Sequence, residues 1–118
     1  KKIKLHNNGE PVRNWLHADD TAEAVMSIIE SGRTNEIFNV AGGFEQKNVD
    51  TIKKIIKEYD QTNENWVKHV DFSYNRVGQD VRYALNDDKL RSLGWKPNKS
   101  FDDEIKDIVE YYRNEFIW

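Results

Sequence analysis

The chain has 118 residues, 18 basic and 21 acidic side chains for a formal net charge of −3, and no cysteine. That length gives one domain and no room for a complete two-domain enzyme; the absent cysteines exclude a disulfide framework, a thiolate nucleophile and a cysteine zinc cluster, and fit a reducing cytoplasm. Residues 1–59 hold nine basic and nine acidic groups and residues 60–118 nine and twelve, so there is no basic field to draw nucleic acid, and no apolar run approaches the roughly eighteen residues of a membrane span.

The chain reads as a soluble protein that partners neither nucleic acid nor membrane. With 37% apolar residues and a mean hydropathy of −0.89, its core must come from a few patterned segments and from aromatic residues such as Trp15, Trp66, Trp95 and Trp118. It opens without Met at a strand-like segment and lacks a signal-type apolar stretch, which is the expectation for a piece of a longer protein.

Ile3 and Leu5 alternate with Lys2, Lys4 and His6 as in a half-buried strand, and Asn7-Asn8-Gly9 supplies the turn that ends it. Val12–His17 is expected to be extended. In the first helix Asp20 is the expected cap, Glu23 completes a capping box, Ala22, Val25, Met26 and Ile29 form the apolar face, and Gly32 ends it. Ile37-Phe38-Asn39-Val40 reads as a short strand closed by Ala41-Gly42-Gly43.

A second helix is expected from Val49, capped by Asn48, with Ile52, Ile55, Ile56 and Tyr59 buried; polar loop follows from Gln61. Trp66–Phe72 reads as a strand, Ser73–Arg82 as a polar loop, and Tyr83-Ala84-Leu85 as briefly extended. Asp87 is the expected cap of a short helix through Leu90 and Leu93, ended by Gly94 and Pro97. Ser100 opens the last helix, whose Asp102, Asp103 and Glu104 complement the helix dipole and whose Ile105, Ile108, Val109 and Tyr112 repeat at helical spacing. The class is α/β: one mixed unit of short strands and about four helices.

Reactive constellations are missing. His6, His17 and His69 have no metal-ligand spacing, the serines lack a nucleophile elbow, and Asp19-Asp20 and Asp87-Asp88 sit where helices begin, so capping explains them better than acid/base work. Neither G-x-G-x-x-G nor G-x-x-x-x-G-K-[ST] occurs. What remains is Arg13, Asn39, Asn48, Arg76, Gln79, Asp80 and Arg82 at loops and element ends. Guanidinium forks and a helix N-terminus at Asn48-Val49 suit a diphosphate, although surface ion pairing and capping explain the same residues.

The order of these residues carries a resemblance. Gly9-Glu10-Pro11-Val12-Arg13-Asn14-Trp15-Leu16-His17-Ala18-Asp19-Asp20, Phe38-Asn39-Val40-Ala41-Gly42-Gly43, Arg76-Val77-Gly78-Gln79-Asp80-Val81-Arg82-Tyr83 and Lys89-Leu90 to Leu93-Gly94-Trp95-Lys96-Pro97 resemble, in order, four segments of the extended short-chain dehydrogenase/reductase family that acts on nucleotide sugars. With Gly43-Phe44-Glu45-Gln46-Lys47-Asn48 the resemblance is to its dTDP-glucose 4,6-dehydratase branch.

The resemblance implies that residues 1–118 are the C-terminal, nucleotide-sugar substrate-binding lobe of a protein about three times longer, for which a homodimer is the expectation. The NAD-binding Rossmann domain and the acid/base residues lie elsewhere, so this chain carries no NAD and no complete Rossmann unit. The parent reaction oxidises the hexose at C4 with NAD, eliminates water across C5 and C6 and returns hydride to C6. Arg13 corresponds to a diphosphate-contacting arginine, Asn48 to a nucleotide-holding asparagine and Arg76 to another phosphate-side arginine. His6 stands where these dehydratases have tyrosine, Gln79 where they have histidine and Lys4 where they have proline; Asn14 and Val77 replace aspartate and proline. The same lobe of a UDP- or GDP-sugar epimerase or decarboxylase, and a stand-alone interaction module presenting Tyr111, Tyr112, Phe116 and Trp118, are the alternatives.

Overall fold

The computed structural model describes residues 2–61, 65–82 and 84–115. Its elements are β1 (Ile3–Lys4), β2 (Val12–Asn14), α1 (Ala18–Glu30), β3 (Glu45–Lys47), α2 (Asn48–Tyr59), β4 (Val70–Asp71), α3 (Asp88–Arg91) and α4 (Phe101–Glu115), with 3₁₀ turns at His6–Gly9 and Trp66–His69. This is the mixed α/β arrangement of four helices and short strands that the pattern calls for.

Two small two-stranded sheets organise it. β1 runs parallel to β4, with Ile3 opposite Val70. β2 runs antiparallel to β3, pairing Val12 with Lys47, Arg13 with Gln46 and Asn14 with Glu45. Asn7, Asn8 and Gly9 all adopt positive φ between the first two strands, which turns the chain sharply. Gly9 is required there: a Cβ would lie 2.6 Å from Val49 Cβ, so the turn packs directly onto the start of α2.

The core is split. Leu5, Ile56 and Val70 are buried with Val49, Ile52, Trp66 and Phe72 around them. A second cluster joins Ala24, Leu90 and Trp95 to Leu16, Ile28, Phe38, Val40 and Leu93. The radius of gyration is 17.0 Å, against about 13.5 Å for a compact domain of this length. Neither half closes on itself. Of the tryptophans, Trp95 is buried, Trp66 half-buried and Trp15 36% exposed, while Trp118 lies outside the described residues.

α1 is rotated from the expected phase. It buries Asp20 and Ala24, whereas Ala22, Val25, Met26 and Ile29 face outward. His17, not Asp20, caps it: His17 Nδ1 accepts from the Asp19 amide at 3.0 Å. Asp20, 1% exposed, instead accepts from the amides of Asn98 and Lys99, each at 3.0 Å, and its carbonyl accepts from Trp95 Nε1. Glu23 accepts from the Asn98 side chain and closes no capping box. A hydropathy stripe misses this face because its central residue is a carboxylate that the fold satisfies from 78 residues away.

Other boundaries also move. Val12–His17 is a strand only through Asn14, and Trp66–Phe72 is a 3₁₀ turn followed by a two-residue strand. Among the described residues, Ile37–Val40 joins no ladder, although Phe38 and Val40 point inward and Ile37 and Asn39 outward, as in a strand. Side chains pin it: Lys89 Nζ donates to the Ile37 carbonyl at 3.0 Å and Asn39 Nδ2 to the Asn86 carbonyl at 3.1 Å. Ala84-Leu85 is irregular and Tyr83 lies outside the described residues.

Lys47, rather than Asn48, occupies the cap position of α2. Asp87 precedes α3 without a side-chain capping bond and is used otherwise: it accepts from the Gly42 amide and from Arg91 Nε, both at 2.9 Å. Burial opposes ionisation of Asp87, but the Arg91 and Gly42 hydrogen bonds outweigh it and hold the carboxyl below its usual value. Ser100 does open α4, accepting from the Asp103 amide. α2 and α4 bury Ile56, Ile105 and Val109, while Tyr59, Tyr111 and Tyr112 are more than half exposed; Phe116 and Trp118 lie outside the described residues.

Candidate nucleotide-sugar site

The five residues singled out for ligand contact lie on three linked segments: residues 6–13, loop 73–82, which runs along one edge of β2, and the start of α2. Loop 73–82 closes over that edge. Its Val81 carbonyl accepts from the Val12 amide at 2.7 Å, Arg82 bridges to Val12, and the Asp80 carbonyl accepts from Arg13 Nη1 at 3.0 Å. Arg13 Nη1 also donates to its neighbour's carbonyl at 2.8 Å, so the guanidinium is held rather than swinging in solvent.

Arg76 and Gln79 are tied to the turn after β1. The Arg76 amide donates to Asn7 Oδ1 at 2.8 Å, and Asn7 Nδ2 donates to the Arg76 carbonyl at 3.2 Å and Gln79 Oε1 at 3.1 Å. His6 precedes Asn7. Its ring meets Tyr74 edge-on at 5.9 Å, and Lys4 Nζ lies 4.6 Å above the Tyr74 ring. His6 Nδ1 is buried without a hydrogen-bond partner, the kind of polar atom that calls for an explanation.

Asn48 starts α2 beside this turn, its amide donating to the Pro11 carbonyl at 2.9 Å. Thus Arg76 and Gln79 share one hydrogen-bonded cluster with Asn7, His6 adjoins it through its ring contact with Tyr74, Arg13 reaches the same loop at Asp80, and Asn48 adjoins the turn through Pro11 and the Gly9–Val49 contact. Arg82 is used otherwise. Its guanidinium grips both oxygens of Glu45, at 2.6 and 2.7 Å, and this hydrogen bonding holds Glu45 below the usual carboxylate range.

Sequence reasoning did not single out Asn7, Tyr74 or Glu45. Asn7 is legible only as a turn residue, and the side-chain hydrogen bonds it makes across 69 positions leave no local pattern. Glu45 pairs with Arg82 because β3 lies beside β2, a long-range fact. A groove of about 630 Å³ borders the site, lined by Val12, Phe44 and lysines 47, 53, 54 and 57. No group of three or more histidine, cysteine or carboxylate residues suited to a metal occurs among the described residues.

The Gly42-Gly43 turn is not built as a dinucleotide cradle. Gly42-Gly43 leads into β3 and not into a helix, and a Cβ on Gly42 would strike Leu16 at 2.7 Å, so this turn packs against the core.

The sequence model of the GDP-mannose 4,6 dehydratase family matches residues 1–108. The chain belongs to this family. The bovine dTDP-D-glucose 4,6-dehydratase is 34% identical over 98% of the chain and 33% of its own length. Among solved structures, a dTDP-glucose 4,6-dehydratase from Bacillus anthracis in complex with NAD superposes with a TM-score of 0.81 at 31% identity, over 98% of this chain and 36% of that one. One from Streptomyces venezuelae with NAD and TYD bound gives 0.85 at 30% identity, over 97% and 34%. The chain therefore spans about a third of the length of the curated relatives it matches. Within this dehydratase family the fold is that of the extended short-chain dehydrogenase/reductases, of which the chain covers about a third.

Proposed function

We propose that this family member is the lobe of a dTDP-glucose 4,6-dehydratase that binds the nucleoside diphosphate of its sugar substrate. Arg13 and Arg76 neutralise the diphosphate, Asn48 holds the nucleotide, and His6 and Gln79 line the site toward the base. The observation that carries the reading is the closure of loop 73–82 over β2, which ties Arg76 and Gln79 to Asn7 and Arg13 to the Asp80 carbonyl. Two arginines on segments joined through loop 73–82 suit an anion of two phosphates, and each charge-assisted hydrogen bond contributes roughly 1.5–3 kcal/mol.

In this reading NAD and the groups that move protons belong to the two-thirds of the parent that the relatives have and this chain does not span. The outer face of α1, with Val25, Met26 and Ile29 at 48%, 51% and 64% exposure, and the unpaired Ile37–Val40 segment, with Ile37 at 85%, receive that missing part. The split core and extended dimensions agree.

Calorimetric titration of the chain with dTDP, UDP and GDP tests the proposal. Binding is expected on the order of millimolar, about −4 kcal/mol, strongest for dTDP and weakened about tenfold in Arg76→Ala. No heat with any of the three nucleotides would leave the stand-alone interaction module as the better account, and a preference for UDP or GDP would point to an epimerase or decarboxylase parent.

A further inference from the structure

We infer that Asn7 is a positioning residue that sets the affinity of the site by fixing loop 73–82, acting on the ligand through Arg76 and Gln79; the inference rests on the nucleotide reading above.

Asn7 spends both side-chain donors and its side-chain oxygen on this loop. Its Oδ1 accepts from the Arg76 amide at 2.8 Å, while Nδ2 donates to the Arg76 carbonyl at 3.2 Å and to Gln79 Oε1 at 3.1 Å. Its own amide donates to the Tyr74 carbonyl at 3.0 Å. The side-chain amide thus pairs with both backbone groups of Arg76 as a neighbouring strand would, although no strand is present there. The loop's ends are tied by Val81, Arg82 and Asp80, but its middle has little else to order it. Residues 75–78 are exposed and Val77 is fully so, with Gly78 at positive φ, and among the described residues the hydrogen bonds that join residues 75–79 to the rest of the fold come from Asn7.

A turn at φ 53 does not by itself call for asparagine. Glycine meets that conformation with less strain, so the backbone requirement and the side-chain clamp can be separated by one substitution. Gln79 Oε1, accepting from Asn7, has its amide nitrogen directed away from that bond, which fixes the face it offers a ligand.

The test is a double-mutant cycle on Asn7→Gly and Arg76→Ala, with dTDP affinity measured by calorimetry and amide exchange followed in loop 73–82 and in α4. Asn7→Gly should weaken dTDP binding five- to tenfold and speed exchange of the Arg76 amide at least tenfold, with α4 protection unchanged. The double variant should bind no more than about twofold worse than Arg76→Ala alone, because the clamp acts through the arginine. If Asn7→Gly binds as wild type while Arg76→Ala does not, the Asn7 role is overturned and the nucleotide site stands. Fully multiplicative losses, or protection lost throughout α4, overturn it equally, since Asn7 would then hold the fold and not the loop. No binding by the wild-type chain overturns both.

Discussion

Replacing Asp20 with asparagine removes one acceptor from a buried, doubly hydrogen-bonded carboxylate without changing its size. In the native chain each carboxylate oxygen accepts one backbone amide, Asn98 to Oδ1 and Lys99 to Oδ2, at 3.0 Å. The amide of asparagine satisfies one and turns its NH₂ toward the other. The loss is one charge-assisted hydrogen bond, about 1.5–3 kcal/mol, together with about 0.3–1 kcal/mol from removing an anion in the first turn of α1. A sum of roughly 2–4 kcal/mol lowers the midpoint of a 118-residue chain by about 8–16 °C, at roughly 4 °C per kcal/mol. Thermal melting followed by circular dichroism reads this directly, and exchange of the Asn98 and Lys99 amides should accelerate before global melting. A midpoint within about 2 °C of wild type would refute the claim that Asp20 joins α1 to the approach to α4.

Gly9 and Gly32 share nearly the same φ, +70° and +72°, but only Gly9 faces atoms that a Cβ would strike. Gly32→Ala should cost about 1–2 kcal/mol from backbone strain alone and Gly9→Ala about 1–3 kcal/mol more in urea unfolding; equal costs would contradict the Gly9–Val49 contact. Because the folded-state value of Asp87 is depressed, its contribution is present above the ordinary aspartate value of 3.8 and is lost as pH falls through the folded one. The gap in melting temperature between wild type and Asp87→Asn should therefore be constant at neutral pH and close in acid, and a gap unchanged at pH 3 would contradict this. With the α1 face uncovered, light scattering should show mass rising with concentration, suppressed by Met26→Glu with Ile29→Lys. A strictly monomeric wild type would show that the face needs no cover.

Helices whose apolar side chains meet one partner were legible. The Ile52, Ile56 and Ile105, Val109 spacings place α2 and α4 correctly because each buries one stripe against the other's neighbourhood. α1 was legible as a helix but not in phase, since one of its faces holds a satisfied carboxylate and the apolar one is bare. Ile37–Val40 has strand alternation without a ladder, because a strand is completed by a partner that the described residues do not supply. At the site, residue types and their order pointed to Arg13, Asn48 and Arg76. The clamp by Asn7 and the capture of Arg82 by Glu45 arise from chain segments 69 and 37 residues apart, and no local spacing encodes them.

Titrating the isotopically labelled chain with dTDP and following amide chemical shifts probes the site most directly. The account predicts saturable shifts concentrated at residues 6, 13, 48, 76 and 79 and in the turn at Asn7. Shifts confined to α1 and α4, or none up to tens of millimolar nucleotide, would contradict it.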